Sequence, residues 1–196
     1  SSTHSYDHTI YAPRYASGFE ILGSQDSLQS TILRILNPWQ GADGISRDLF
    51  IARAGEVPPE GFSGEVISHK PQRVACMSSS HIAIIDHLGE VECIKGVSGK
   101  RFVSNPRLRA KSEQIADIGY DGNVNYELLL AQDIDLILLY GVFGPCAVEP
   151  KLKELGIPFV YVGEYVEQSP LGKAEWMVAL GEIFDCRERA EELFSP

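Results

Sequence analysis

The sequence predicts an α/β fold: a Rossmann-like parallel sheet flanked by helices, preceded by an antiparallel β-rich segment and followed by a C-terminal linker helix. Three observations predict it. From Gln72 to Val162, short apolar strands alternate with helical stretches, as right-handed crossovers in a parallel sheet require. Ahead of them, residues 9–53 carry alternating and β-branched runs joined by turn residues. Beyond Val162 only helical periodicity remains. The segments divide as a β-rich leader over residues 1–64, an α/β lobe over 65–165 and linker helices over 166–196.

The leader opens with strand patterns at Gly18–Leu22 and Thr31–Leu36. Gln25-Asp26-Ser27 between them supplies turn chemistry, so the pair reads as a hairpin. Asp48–Arg53 is a third strand, and Gly55–Gly64, with Pro58-Pro59, a loop. In the lobe, Arg73–Met77 is a strand, Ser78-Ser79-Ser80 an N-cap signal, His81–Leu88 a helix and Gly89 its stop. The pattern continues with strand Ile94–Val97, helix Leu108–Ile115, short strand Ala116–Gly119 and helix Tyr126–Ala131. Asp135–Tyr140 is the most apolar strand. Pro145 opens a helix ending at Leu155-Gly156, and Pro158–Val162 is the last strand. Pro170 precedes a helix over Leu171–Phe184, and Arg187–Phe194 is a second helix.

Composition narrows the function classes. A net charge of -10 and a pI near 4.9 exclude nucleic acid, whose phosphates need a cationic face, and disfavour an anionic membrane surface. No apolar run approaches the roughly 20 residues that span a bilayer. Ser1–Asp7 is polar and holds no signal segment, so a targeting peptide was either never present or removed. Cys76, Cys93, Cys146 and Cys186 lack the close spacing of zinc ligands, and Cys76 and Cys93 read as buried free thiols.

Several residues face two readings. At the strand-to-helix junction, Ser78, Ser79 and Ser80 present hydroxyls and free amides to an oxygen-rich ligand, or one of them caps the helix and the rest are solvated. His81 is a first-turn structural histidine or a ligand contact. Asp121-Gly122-Asn123-Val124-Asn125 imitates a calcium loop, but Tyr126 stands where glycine is needed and Gln132 where glutamate is needed. Asn125 is the N-cap of the next helix. Lys100, Arg101, Arg107, Arg109 and Lys111 form either a cationic rim for an anionic ligand or a solvated loop. Tyr140-Gly141 and Glu164-Tyr165 follow strand ends, where rings either stack on a ligand or border the core. For catalysis there is no nucleophile elbow, phosphate-cradling glycine loop or H-E-x-x-H run.

The stretch Gln72–Phe194 resembles the N-terminal lobe and linker of class III periplasmic binding proteins, which deliver ferric siderophores, haem, cobalamin or metal ions to ABC importers. The resemblance rests on Arg73–His81, on Asp135-Leu136-Ile137-Leu138 after a helix carrying Glu127, and on Leu155-Gly156-Ile157-Pro158. It is sharpest at Pro170-Leu171-Gly172-Lys173-Ala174-Glu175-Trp176, similar to the opening of the family's linker helix. The leader ending Asn37-Pro38-Trp39-Gln40 is similar to that of iron-transport members. Ile134 departs from the usual proline. The resemblance implies no catalysis, no resident cofactor or metal, and a transported ferric siderophore, haem or related metal complex. It implies ligand contacts at Ser78–His81, Asn123, Asn125, Tyr140, Gly141, Glu164 and Tyr165, and a surface glutamate that docks on an ABC permease, with Glu149 as candidate. It further implies an extracytoplasmic or periplasmic location, with lipid anchoring through a removed N-terminal segment as one form. A second lobe of roughly 100 residues or more is expected beyond the linker helix, so the chain reads as a fragment. The alternatives are a cofactor-dependent α/β enzyme domain, which a phosphate loop would mark, and a scaffold domain, which a flat carboxyl-end surface would mark.

Overall fold

A computed structural model describes residues 5–195; the polar start Ser1–Asp7 and the chain end at Pro196 lie partly outside them. The leader forms a sheet of β1 (His8–Tyr11), β2 (Phe19–Gly23), β3 (Thr31–Leu36), β4 (Ser46–Ile51) and β5 (Glu65–Ile67), in that spatial order. The predicted hairpin forms, with Phe19 opposite Ile35 and Leu22 opposite Ile32. Alternation then sorts the side chains, as a strand's period of two requires. Ile21, Leu33, Ile35, Leu49 and Ile51 enter the main core, while Leu22, Ile32 and Phe50 point the other way onto Tyr6.

The third strand differs from the expected Asp48–Arg53. Its ladder runs from Ser46, opposite Leu36, to Ile51, opposite Thr31, which uses all of β3. Arg53 leaves the sheet and donates to Glu182 at 2.9 Å. Two strands go beyond the sequence reading. β1 is an edge strand whose side chains are mostly exposed, so it lacks an apolar alternation. β5 has three residues and runs parallel to β4, so this sheet is antiparallel only over its first four strands.

The lobe contains β6 (Val74–Cys76), α1 (Ser79–His87), β7 (Ile94–Val97), α2 (Pro106–Ala110), β8 (Ala116–Asp117), β9 (Gly119–Tyr120), β10 (Asn123–Val124), α3 (Tyr126–Ala131), β11 (Leu136–Leu139), α4 (Glu149–Leu155) and β12 (Phe159–Tyr161). Its five-stranded sheet has the order β12-β11-β6-β7-β8, all parallel. Every residue of β6, β11 and β12 is buried, as in a parallel sheet covered on both faces. The chain leaves central β6 in one direction through β7 and β8, then returns to build β11 and β12 on the other side. The switch point therefore lies between β6 and β11, where open α/β sheets bind ligands beyond their carboxyl ends.

Three local differences have clear causes. Asn105 caps α2 and Pro106 opens it, two residues earlier than expected, and the helix gives way at Lys111 to a 3-10 turn. The stretch expected as one strand over Ala116–Gly119 breaks because Gly119 turns at φ 83° into the β9–β10 hairpin. α4 starts at Glu149, not Pro145, because Asp121 accepts from the Ala147 and Val148 amides, each at 3.1 Å, and holds that segment as a turn.

α5 (Pro170–Ile183) and α6 (Arg187–Phe194) follow, with Ser169 capping α5 and Pro170 at its first position. Two buried carboxylates fasten the leader here. Glu175 accepts from the Tyr11 hydroxyl at 2.6 Å and from the amides of Arg14, Tyr15 and Ala16 at 2.7–2.8 Å. Glu167 accepts from the Ser17 and Gly18 amides, each at 2.8 Å. Five consecutive backbone donors thus end on two anions, and the Trp176 ring covers Gly18 and Phe19 beside them.

Candidate functional site

Beyond the carboxyl ends of β6 and β11 lies a cleft of about 370 Å³, lined by Met77, Ser98, Tyr120, Leu139, Tyr140 and the loop to Cys146. That volume suits a small ligand. Its rim is aromatic and open: Tyr120 is 53% exposed, Tyr140 40% and Phe143 81%, while Phe102 stands exposed nearby. Large rings clustered out of the core at one end of a sheet are a mark of interaction surfaces.

The loop beneath this rim is held by the leader. Gly141 is needed for close approach: a Cβ there would lie 2.7 Å from the Gly144 carbonyl oxygen and 3.0 Å from the Trp39 Cβ. Gln40 donates its amide to the Val142 carbonyl at 3.1 Å, and the Tyr165 hydroxyl donates to the Gly141 carbonyl. Trp39 itself is buried, edge-on to Tyr161 at 5.6 Å. The leader therefore braces the root of the loop and leaves Val142 and Phe143 exposed.

The serine triplet divides its work. Ser78 caps α1 by accepting from the Ser80 amide. Ser80 shares a 2.9 Å contact with the Ser78 hydroxyl and donates to Glu164. Ser79 is exposed at the helix start. His81 is fully buried, with its Nε2 3.6 Å from Glu164 Oε2, at ion-pair but not hydrogen-bond distance. Burial pushes the Glu164 carboxyl upward, but His81 and Ser80 outweigh it and hold the group below the ordinary carboxylate value. The His81 ring lies edge-on to Tyr140, and Tyr140 edge-on to Tyr165, each pair 6.3 Å apart. His81, Ser80 and Glu164 thus form a polar layer under the exposed tyrosine.

Asn125 accepts from the Leu128 amide at 3.1 Å and caps α3; Asn123 is exposed on the hairpin beside Tyr120. Glu149 differs from the surface carboxylate expected for docking. It is 8% exposed, accepts from the Tyr161 hydroxyl at 2.5 Å, and lies 3.8 Å from Arg47 and 3.6 Å from Lys153. The cause is its place at the first turn of α4, facing the leader rather than solvent. Phe102, Tyr120, Val142, Phe143 and the bracing Trp39 are site features that sequence reasoning passed over. Phe143 carried a signal, since a ring set among Gly141, Gly144 and Pro145 has no periodic face to join. Burial pushes the Cys93 and Cys146 thiols up to about 12.

The profile of the family described as periplasmic binding protein matches residues 74–196, which is the whole parallel sheet with its helices and both C-terminal helices. The chain belongs to the periplasmic binding protein family. Members of this family are solute-binding proteins and not enzymes, and they work outside the cytoplasm. Residues 1–73, with the leader sheet, lie outside the matched span. Among curated relatives, an uncharacterized lipoprotein of Methanocaldococcus jannaschii is 27% identical over 138 residues, 66% of this chain and 33% of that protein. An uncharacterized protein of the same organism is 30% identical over 111 residues, 54% of this chain and 33% of its own length. The chain spans about a third of the length of these relatives. Among solved structures, a periplasmic binding protein from Veillonella parvula is similar with a TM-score of 0.52 and 18% identity, over 76% of this chain and 46% of that one. The periplasmic heme binding protein HutB of Vibrio cholerae is similar with a TM-score of 0.51 and 19% identity, over 63% and 45%. At these identities it is the fold that is shared.

Proposed function

We propose that this chain is the ligand-gripping lobe of an extracytoplasmic solute-binding component, which captures a metal complex of the ferric siderophore or haem class for delivery to an ABC permease. The observation that carries this reading is the open aromatic rim of Tyr120, Tyr140 and Phe143 over a cleft at the sheet's switch point. Flat or bulky chelates offer faces for such rings, and the exposed Ser79 hydroxyl at the start of α1 adds a polar contact. His81, Ser80 and Glu164 act in this reading by setting Tyr140, while Gly141 and Tyr165 set the loop. Asn123 is the exposed polar group on the hairpin side. The heme-binding function named for the Vibrio cholerae neighbour is in keeping with this ligand class. The lipoprotein name of the Methanocaldococcus relative supports attachment to a membrane surface through lipid. Docking on the permease through Glu149 would require its contacts to Tyr161, Arg47 and Lys153 to be exchanged for permease cations. We place the leader boundary after Ile67, because β5 hydrogen-bonds with β4, and keep the lobe to residue 165 with the linker helices after it.

Fluorescence titration tests the reading, with Trp39 reporting from against Gly141. Haem or a ferric siderophore is expected to quench it saturably. Tyr140→Ala and Phe143→Ala are each expected to weaken binding about tenfold, the scale of losing one stacked ring, with an unchanged unfolding midpoint for Phe143→Ala, whose ring is exposed. No response to haem, tris-catecholate or tris-hydroxamate iron complexes sinks the proposal.

A further inference from the structure

Five basic residues crowd Lys100–Lys111 in a chain whose net charge is -10. The structure separates them into two groups. Arg107 pairs with Asp86 and Lys111 with Glu92. Lys100, Arg101 and Arg109 have no carboxylate at ion-pair distance among the described residues, although acidic residues outnumber basic ones by 27 to 17. All three line one groove of about 750 Å³, together with Phe102, Ser104 and Ser112.

The backbone at one edge of the groove is fastened. Asp117 at its edge accepts from the amides of Gly99, Lys100 and Gly119 at 3.0–3.2 Å, so its oxygens are occupied in fastening the loop. Counting that carboxylate against the three cations still leaves an excess of positive charge. Arg101 lies 4.6 Å over the Phe102 ring, and a stacked guanidinium keeps its in-plane donors for another partner. The groove also adjoins the aromatic cleft. Gly99, at φ 68°, has the Tyr120 hydroxyl and the Phe102 ring packed over the place a Cβ would take, and the preceding Ser98 lines the cleft. Lys100 and Arg101 follow the carboxyl end of β7 and Asp117 closes β8, which puts that edge of the groove on the ligand side of the sheet.

Resting on the function proposed above, we propose that the Lys100–Arg101–Arg109 groove is a subsite for an anionic group, a carboxylate or deprotonated catechol, and that the captured metal complex is an anionic chelate. Three neighbouring cations repel one another until an anion arrives, so the arrangement favours a charged ligand over a neutral one of the same shape. Charge-assisted hydrogen bonds from lysine and arginine to such oxygens are the strong kind.

The test compares two ferric complexes of similar size by calorimetry, a triply anionic tris-catecholate and a neutral tris-hydroxamate. The chain is expected to bind the catecholate at least about tenfold tighter, with an affinity that falls as salt rises. The triple variant Lys100→Gln, Arg101→Gln, Arg109→Gln is expected to lose that preference and to bind the hydroxamate as before. Arg101→Gln alone, on an exposed side chain, is expected to lower catecholate affinity several-fold with an unchanged unfolding midpoint. Lys151→Gln, a charge change outside the groove, is expected to alter neither affinity. Equal affinity of the unaltered chain for both complexes, or a preference that survives the triple variant, overturns the anionic subsite and leaves the function standing. Binding of neither complex and no binding of haem overturns the function, and the subsite with it.

Discussion

Replacing Glu175 by alanine is expected to cost about 3–5 kcal/mol of stability, the scale of removing one partner from a buried charged network. The side chain is 0% exposed, and its two oxygens accept from Tyr11, Arg14, Tyr15 and Ala16. Alanine leaves the Arg14, Tyr15 and Ala16 amides without an acceptor where the leader crosses the start of α5. Glu175→Gln keeps one carbonyl acceptor but turns an NH2 toward the donors, so it is expected to recover only part of the loss. Guanidinium unfolding at pH 7 measures both, and a loss below about 1 kcal/mol for alanine would falsify the clamp.

The same clamp sets a pH dependence. Burial alone would raise the Glu175 carboxyl, but the Tyr11 hydroxyl and the three amides outweigh it and hold the group below its ordinary value. A carboxyl depressed in the folded state stabilises fully above its unfolded value, about 4.3 for glutamate, and that stability disappears as pH falls through the folded value. Glu164 is depressed as well, through His81 and Ser80, and adds to the same acid limb. Glu175→Gln is expected to be less stable at pH 7 yet to lose less between pH 5 and pH 3 than the unaltered chain. Parallel acid limbs for the two proteins contradict this.

What the sequence disclosed and what it withheld divide along the range of the interactions. β3, β7, α3 and α6 fall where their residues predict, because each is announced by local pattern: β-branched runs, an Asn cap, a helical stripe. The buried strands β6, β11 and β12 are short apolar runs between turn signals, legible for the same reason. β1, β5 and the β9–β10 hairpin were illegible, since strands of two to four residues carry too little pattern to separate from loop. At the site, Ser78 and Asn125 were legible as caps, an i to i+2 or i+3 matter. The contact of Ser80 with Glu164 spans 84 residues and has no local trace. The burial of Glu149 has no local trace either, because a glutamate opening a helix usually faces water. The side chain turns toward Tyr161, whose hydroxyl donates to it at 2.5 Å, with Arg47 of the leader 3.8 Å away.

The seam between leader and lobe also depends on a fit that no single position reveals. Trp176 is 1% exposed, 5.0 Å from the Phe19 ring centroid, and Trp176→Ala is expected to cost about 3–5 kcal/mol, the usual price of deleting a buried large aromatic. Gly18 lies against the same ring: a Cβ there would come 2.7 Å from Trp176 Cζ2 and 3.1 Å from Glu167 Oε1. Neither neighbour yields easily, because the indole is buried and the carboxylate is held by Ser17 and Gly18. Gly18→Ala is therefore expected to cost about 1–3 kcal/mol as overpacking. Shrinking the ring removes most of that strain, so Gly18→Ala combined with Trp176→Leu is expected to cost less than the sum of the single changes, by about 1 kcal/mol or more. A cycle of four proteins unfolded in guanidinium measures the coupling. Additivity within about 0.3–0.5 kcal/mol means that the glycine and the indole do not share this space.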